Sequence, residues 1–482
     1  MDDKKPNKYK RLFKNILMLV AGSFATRLLS FLLVPFYTAI LSTSDYGTAD
    51  LINTTVLLVL PACSLLMDEA VMRFTLDAEN DRKQVFTIAV TISTIGFGFF
   101  LLLSPLSLLI KSLRPFYAFI VLYYVVSWIY NITSSFVRGM DKLAVVTTAG
   151  IIHTFAYLAL NIYFLAIAKI GVYGYLLAIN ISNIVAILYL IVTCRLYKYF
   201  VLPTHLDKAL VKGMVLYSIP MIPDYISWWI NGASDKYVLT FFYGTALTGV
   251  YSIAYKIPSL LSQMTGIFSS AWKISSVENF GSQESLQFYN RIYSLYSGLI
   301  MIAAAVLILI SKPLAYILFS NDFFEAWRIT PFLIMAYCFN AMALYIGSIF
   351  TASKKTGKLF HSSMIGAGIN LCVNFILIPK YQAIGAAIAT IVGYIAIWLV
   401  NMINTREILR MDFKIKMILP ASFLMLGEII GVLMNCAQGY IITVLCGSII
   451  ILLNRKQIVE MIGALLNRFG NSFTKRKRKN RI

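Results

Sequence analysis

The sequence has few of the side chains that bind metals or carry redox chemistry. It contains only three histidines, which lie far apart, and its six cysteines form no CxxC motif or other close pair. The cysteines lie in or beside apolar runs, where a free cysteine acts as a small hydrophobic side chain. We therefore expect no zinc or haem site, no other metal or cofactor, and no disulfide framework.

Acidic residues are also scarce, with 21 Asp and Glu against 42 Lys and Arg and a net charge of +21. Charged residues make up 13% of the chain and hydrophobic residues 59%, whereas soluble domains have roughly 25% and 45–50%. In a soluble protein this charge would suggest a nucleic-acid partner. Here it indicates a membrane protein whose basic segments fix its orientation and contact anionic lipid, so no nucleic-acid partner is expected.

The sequence lacks the features of a membrane enzyme or an ATPase. No GxxxxGK[ST] motif is present to hold nucleotide phosphates. The predicted loops are all shorter than the roughly 50 residues of a small domain, so none can hold a soluble catalytic domain. We therefore expect a protein that is not an enzyme.

Apolar runs predict an all-α integral membrane protein with about 14 transmembrane helices. A helix needs about 20 residues to cross the hydrocarbon layer. If the N-terminus is cytoplasmic, most Lys and Arg residues fall in the inner segments, which agrees with the positive-inside rule and places the C-terminus inside as well. The predicted spans lie near 15–40, 48–67, 85–110, 115–137, 144–168, 172–194, 213–240, 247–271, 292–311, 329–352, 359–379, 383–404, 417–435 and 438–454.

Two pairs of glycine-containing segments indicate an internal repeat. Gly47, between spans one and two, matches Gly249, between spans seven and eight, 202 residues later. Gly174 and Gly385, at the starts of spans six and twelve, are 211 residues apart. Because six spans separate the halves, the repeats have the same orientation in the membrane.

The repeat predicts two parallel six-helix lobes around a central cavity. The N-terminal lobe covers 1–205, the C-terminal lobe covers 206–410, and 411–482 contains two extra spans and a basic cytoplasmic tail. Lobes that rock about a central cavity expose it to each side in turn, which predicts a transporter that works by alternating access.

Four charged residues are predicted to lie within the membrane, where a charge costs at least about 2.5–3.5 kcal/mol. Arg27 and Lys256 suit an anionic ligand in a watery cavity, and Asp224 suits a coupling ion. The structural alternative is an ion pair between Arg27 and Asp224. Glu428 lies outside the repeat, and it either lines a groove or hydrogen-bonds to span fourteen.

Charged residues near helix ends are candidate gates. At the inner end of span two, Asp68, Glu69 and Arg73 either form a gate or belong to a solvated helix end with an i,i+4 Glu69–Arg73 pair. Asp235 and Lys236, near the outer end of span seven, have the same two interpretations.

Span seven also carries paired tryptophans and two prolines. Trp228 and Trp229 either stack on sugar rings or belong to the aromatic belt at the membrane interface. Pro220 and Pro223 predict a bend of the kind found in helices that line a cavity.

The same region resembles the hallmark segment of bacterial polysaccharide-biosynthesis flippases. The residues are Tyr217-Ser-Ile-Pro-Met-Ile-Pro-Asp-Tyr-Ile-Ser-Trp-Trp-Ile-Asn-Gly-Ala-Ser-Asp-Lys-Tyr237, followed by Gly249-Val-Tyr-Ser-Ile-Ala-Tyr-Lys-Ile-Pro258 and Ala271-Trp272. The opening Gly22-Ser-Phe-Ala-Thr-Arg27 and the turn Asp45-Tyr-Gly47 are also similar to this family. Its members are Wzx-type exporters of lipid-linked oligosaccharides in the multidrug/oligosaccharidyl-lipid/polysaccharide superfamily.

The resemblance implies a flippase that moves an undecaprenyl-pyrophosphate-linked oligosaccharide from the inner to the outer leaflet of the bacterial cytoplasmic membrane. Its cargo would feed O-antigen, capsule or exopolysaccharide synthesis, with membrane lipid, H⁺ or Na⁺ and a polysaccharide polymerase as further partners. Arg27 and Lys256 match basic residues that such flippases offer to pyrophosphate. The family commonly has Asp-Arg where this chain has Asp235-Lys236. Fourteen spans exceed the twelve of many Wzx-type members and are similar to the lipid II flippases.

Three other functions remain open. An ion-coupled multidrug-type antiporter of the same fold should have an acidic cavity, whereas Arg27 and Lys256 favour anionic cargo. A membrane enzyme of glycan synthesis is disfavoured by the short loops. A non-transporting component of a glycan-synthesis complex would only pair its charges, and it would still work after the substitution Arg27→Ala.

Overall fold

The computed structural model describes residues 31, 33–203, 206–281, 285–457 and 459. These residues form helices and connecting turns, with no β-strand among them, which confirms the predicted all-α fold. Residues 33–40 are helical and precede α1. The labelled helices are α1 (Thr43–Cys63), α2 (Met67–Leu76), α3 (Arg82–Leu103), α4 (Tyr117–Gly139), α5 (Leu143–Asn161), α6 (Gly171–Cys194), α7 (Lys208–Ser218), α8 (Ile222–Tyr243), α9 (Thr245–Ala254), α10 (Lys256–Asn279), α11 (Ser285–Leu318), α12 (Thr330–Ala352), α13 (Thr356–Thr405), α14 (Ile415–Met434) and α15 (Ala437–Leu453).

The described helices confirm a multi-pass membrane protein. Within the described ranges, nine helical stretches are long and apolar enough to cross a membrane, and α9 and α15 are shorter apolar helices. One of the nine is α13, whose 50 residues contain two helices joined across a kink at Gln382. Part of the first predicted span lies outside the described residues, so the total of fourteen stays a prediction.

Two predicted spans are interrupted at prolines. Predicted span eight is split into α9 and α10, because Pro258 has no N–H to donate to the carbonyl of Ala254, where α9 ends. The hydroxyl of Thr330 donates to that carbonyl instead, at 3.4 Å. In predicted span seven, a short 3₁₀ turn at Ile219–Met221 separates α7 from α8, at the position of the predicted proline bend.

The helices form two compact units. The first contains the described residues up to Ile253 together with Leu318–Phe323, and the second contains the remaining described residues. The predicted lobe boundaries near 205 and 410 stay predictions.

Each unit has an aromatic core. In the first unit, the rings of Phe100 and Tyr124 stack at 4.0 Å between α3 and α4. In the second unit, Trp272 stacks on Tyr345 at 4.6 Å, and the indole of Trp398 donates a hydrogen bond to Tyr293 at 2.9 Å. Tyr345 lies on α12, which is mostly buried within this unit. The aromatic rings therefore pack α10 and α11 around α12.

Candidate functional site

In the first unit, α1 and α9 cross at two glycines. A Cβ atom added to Gly47 would lie 2.0 Å from the carbonyl oxygen of Thr245, and one added to Gly249 would lie 1.9 Å from that of Thr43. These contacts are reciprocal, because Thr43 and Thr245 are separated by the same 202 residues as Gly47 and Gly249. Such reciprocity is typical of two elements related by a twofold axis. Only glycine allows the two backbones to approach this closely.

An ion pair lies one turn beyond this crossing. The ammonium of Lys236, on α8, is 2.6 Å from Oδ2 of Asp50, on α1. Ser252, on α9, donates its hydroxyl to the same carboxylate oxygen at 2.7 Å. The side chains of Lys236 and Asp50 are only 14% and 19% exposed, so the pair is shielded from water. Removing one partner of a shielded pair strongly destabilises the folded protein, because it leaves the other charge uncompensated.

A second carboxyl group lies next to this pair. Asp235 precedes Lys236 on α8 and is fully buried, and the hydroxyl of Tyr251 donates to its Oδ2 at 2.6 Å. We refer to Asp50, Asp235, Lys236, Tyr251 and Ser252 as the α1–α8–α9 cluster. The cluster places two carboxyl groups beside one amine.

Aromatic side chains attach α8 to α1 beside the cluster. The indole N–H of Trp229 donates to the carbonyl oxygen of Thr54 at 2.9 Å, and the hydroxyls of Tyr237 and Thr55 are 2.5 Å apart. The rings of Trp229 and Tyr237 lie 5.3 Å apart. These contacts tie α8 to α1 along two turns.

A model of the family described as "Polysaccharide biosynthesis protein" matches residues 12–272, more than half of the chain and including all of the α1–α8–α9 cluster. The chain belongs to this family. Among curated proteins, it is 26% identical over 214 residues to an uncharacterised membrane protein, MJ1068, of Methanocaldococcus jannaschii. That match covers 43% of this chain and 42% of the relative, so it spans less than half of the relative's length.

Solved structures share the fold of this family member. The lipid II flippase MurJ, in an inward closed conformation, aligns with a TM-score of 0.67 at 15% identity, covering 93% of this chain and 99% of that one. An inward-facing multidrug resistance MATE family transporter of the MOP superfamily aligns with a TM-score of 0.58 at 14% identity, covering 79% and 98%. The predicted resemblance is therefore confirmed, and family and fold together support a membrane transporter of the flippase type.

The predicted cargo and coupling residues of this family member lie at helix starts or outside the described residues. Arg27 lies outside the described residues, so its pairing with Asp224 stays a prediction. Lys256 is the first residue of α10, directly after the break that follows α9, and it is half-buried. Asp224 lies in the first turn of α8 and is also half-buried.

The predicted inner gate lies on α2. Glu69 accepts a hydrogen bond from the hydroxyl of Tyr225, on α8, at 3.2 Å, and Arg73 is exposed. Burial, followed by the neighbouring Glu69, raises the pKa of Asp68 to about 6. The structure thus brings Glu69 to α8, while a gating role for these residues stays a prediction.

Of the predicted outer gate, both residues belong to the cluster. Sequence reasoning missed the other three members, Asp50, Tyr251 and Ser252. One signal was available, because Asp50 and Ser252 are 202 residues apart, the same separation as the two glycines. Of the two tryptophans, Trp229 donates its indole N–H to the carbonyl oxygen of Thr54 on α1, and Trp228 is half-buried. Stacking of either ring on a sugar stays a prediction.

Proposed function

We propose that the protein is a flippase that carries an undecaprenyl-pyrophosphate-linked oligosaccharide from the inner to the outer leaflet of the bacterial cytoplasmic membrane. Its family is one of polysaccharide biosynthesis, and its fold is shared with a protein described as a lipid II flippase. The cargo would supply the synthesis of O-antigen, capsule or exopolysaccharide, and both termini would be cytoplasmic.

In this proposal, Arg27 and Lys256 hold the pyrophosphate. An arginine guanidinium offers paired donors to phosphate oxygens, and a lysine ammonium adds a compact positive charge. Lys256 begins α10 directly after Tyr255, the single turn residue that separates this helix from α9. The N-terminal end of a broken membrane helix favours an anionic group, which adds to the charge of the lysine itself.

The α1–α8–α9 cluster acts as a gate in this proposal, and the Asp50–Lys236 pair is the observation that carries the mechanism. The pair joins α8 to α1 one turn from the point where equivalent positions of the two halves cross. Alternating access requires one end of the cavity to close while the other opens. The ion pair and the serine hydrogen bond link α1 to both α8 and α9, and in this proposal they break together with the neighbouring contacts when the gate opens.

Energy for transport would come from an ion gradient or the membrane potential. Asp224 would bind the coupling H⁺ or Na⁺. Transport in proteoliposomes should then respond to an imposed pH or sodium gradient or to a membrane potential. Equal rates under all of these conditions would contradict ion coupling and leave the cargo assignment intact.

A leaflet assay in depleted cells tests the cargo assignment. Labelled lipid-linked oligosaccharide should remain on the cytoplasmic side after depletion and reach the outer face when the wild-type protein is restored. The substitutions Arg27→Ala and Lys256→Ala should fail to restore export, whereas Lys256→Arg, the charge-preserving control, should restore most of it. If the precursor reaches the outer face without the protein, this chain is not its main flippase.

The antiporter alternative is supported by the MATE-like fold and by the carboxyl groups of the first unit. It predicts that the protein exports cationic compounds and that this export is lost after Asp50→Asn or Asp224→Asn.

A non-transporting role in a glycan-synthesis complex predicts no transport phenotype for Arg27→Ala.

A further inference from the structure

A buried acidic side chain lies on α14, in a part of the chain to which the proposed gate and cargo residues do not belong. Glu428 is fully buried within the second unit, about two-thirds of the way along this apolar helix. Among the described residues, neither of its carboxyl oxygens has a hydrogen-bond partner. A buried polar atom without a partner is uncommon in native structures and calls for a physical explanation.

The neighbouring helix leaves room for this carboxyl group. Gly447, on α15, faces it so closely that an added Cβ would lie 2.5 Å from Oε1 of Glu428. Two further glycines bring the backbones together, since a Cβ on Gly439 would lie 2.3 Å from the carbonyl oxygen of Gly431. The carboxyl group therefore occupies a niche built by the glycines of two tightly packed helices.

Among the described residues, no basic side chain pairs with a negative charge in this niche. The hydroxyl of Thr443, on α15, donates to the backbone carbonyls of Gly439 and Glu428, at 2.9 and 3.3 Å. Within the described part of the chain, α15 packs along α14, and α12 also contacts it. From these, Cys446 on α15 is the titratable side chain that interacts with Glu428, and no described Lys, Arg or His forms an ion pair with it.

These contacts determine whether the carboxyl group of Glu428 is neutral or ionised while the helices are packed. An unpaired carboxylate buried in an apolar helix pair costs several kcal/mol, because nothing replaces its hydration. The neutral acid loses only the hydrogen bond of its O–H group, which costs about 1–3 kcal/mol. The packed pair is therefore compatible with the acid and incompatible with the carboxylate.

We propose that Glu428 is a proton-binding site of the α14–α15 pair, filled while the helices are packed and emptied when they separate. On emptying, the O–H bond breaks, the proton passes to water, and the carboxylate keeps the electron pair. By linkage, packing strengthens proton binding, and a bound proton stabilises packing to the same extent. The proposal concerns this helix pair and does not depend on the cargo of the protein.

Infrared spectroscopy of the full-length protein in lipid nanodiscs tests proton occupancy. At pH 7, the wild-type protein should show a carboxylic-acid carbonyl band that is missing after Glu428→Gln, a neutral replacement of nearly the same shape. Glu325→Gln is the matched control, because Glu325 is exposed and paired with Arg328 at 3.2 Å. Glu325→Gln should leave the pH 7 band in place. The proposal is overturned if the band is absent from the wild-type protein at pH 7 or persists after Glu428→Gln.

Hydrogen exchange tests the link to packing. Between the ordinary pKa of a glutamic acid, about 4.3, and the midpoint of the Glu428 band, protection of the α14–α15 amides, corrected for the intrinsic effect of pH, should fall by up to about tenfold per pH unit, and it should level off above that midpoint. The Glu428→Gln protein should show no such fall. An equal fall in both proteins, or in neither, would show that proton binding and packing are not linked. Neither measurement requires transport, so a failed flippase assay would not affect the result.

Discussion

Gly47 and Gly249 hold the backbones of α1 and α9 in contact, and each glycine is the counterpart of the other in the two halves of the sequence. The matching segments of the sequence repeat therefore also contact each other in the structure. Asp50 and Ser252, three residues further along each helix, form a hydrogen bond at the same joint. In the proposed gate, these two equivalent positions carry different side chains, a carboxylate in the first half and a hydroxyl in the second.

Adding a methyl group at the crossing should destabilise the protein. Gly47→Ala and Gly249→Ala each force a carbonyl oxygen away from the new Cβ, at a cost of about 1–3 kcal/mol. Gly98→Ala, on α3, is the control, because no described residue outside its own helical turn lies within 4 Å of the added atom. It should be neutral or stabilising by up to about 1 kcal/mol. Thermal unfolding followed by circular dichroism checks this, and equal effects of the three substitutions would contradict a tight crossing.

The Asp50–Lys236 pair should behave as a coupled unit. Asp50→Asn and Lys236→Met each leave one charge poorly compensated in a shielded place, so each should lower the unfolding midpoint. The double substitution should lose less than the sum of the two, by a coupling energy of about 1–3 kcal/mol. A double-mutant cycle measures this quantity. Additive effects would mean that the pair does not secure α8 to α1.

Trp229 should contribute to stability through its indole nitrogen. Trp229→Phe keeps an aromatic ring but removes the hydrogen bond to the carbonyl of Thr54, at a cost of about 1 kcal/mol. Trp228→Phe, at the neighbouring position, should cost less. The unfolding midpoints of the two variants show which of the two tryptophans contributes more to stability. If only Trp228→Phe alters transport while stability is unchanged, sugar stacking at Trp228 gains support.

Replacing Asp68 should stabilise the protein in a manner that depends on pH. Its folded-state pKa of about 6 lies above its ordinary value of 3.8. Ionisation thus opposes folding, and the loss of stability develops as the pH rises from about 4 to 6. Asp68→Asn should raise the unfolding midpoint at pH 7.5 and leave it nearly unchanged at about pH 4. Glu79→Gln, at an exposed position in the following turn, should have little effect at either pH.

Much of the fold could be predicted from the sequence, because the thickness of the bilayer sets the length of the apolar runs and basic residues are concentrated on its cytoplasmic side. The break between α9 and α10 was missed, although Pro258 could have indicated it. That run is apolar on both sides of the proline, and a count of hydrophobic residues does not detect a lost hydrogen bond.

The site was predicted less completely for a different reason. Asp235 and Lys236 are recognisable as charges in an apolar helix, but Asp50, the partner of Lys236, lies on a helix distant in sequence. Asp50 resembles an ordinary acidic residue in the first turns of a helix, and its contacts with Lys236 and Ser252 distinguish it only once the helices pack. Contacts of this kind depend on the register between helices, which hydrophobic patterning leaves open.

The most direct test of the proposed function uses purified protein in proteoliposomes that contain a labelled undecaprenyl-pyrophosphate oligosaccharide. An enzyme or reductant added outside then reports how much label reaches the outer leaflet over time. The wild-type protein should move the label across, Lys256→Ala should slow this by about tenfold or more, the equivalent of about 1.4 kcal/mol, and Lys256→Arg should be close to wild type. If the wild-type protein moves the label no faster than empty liposomes, the flippase proposal is wrong.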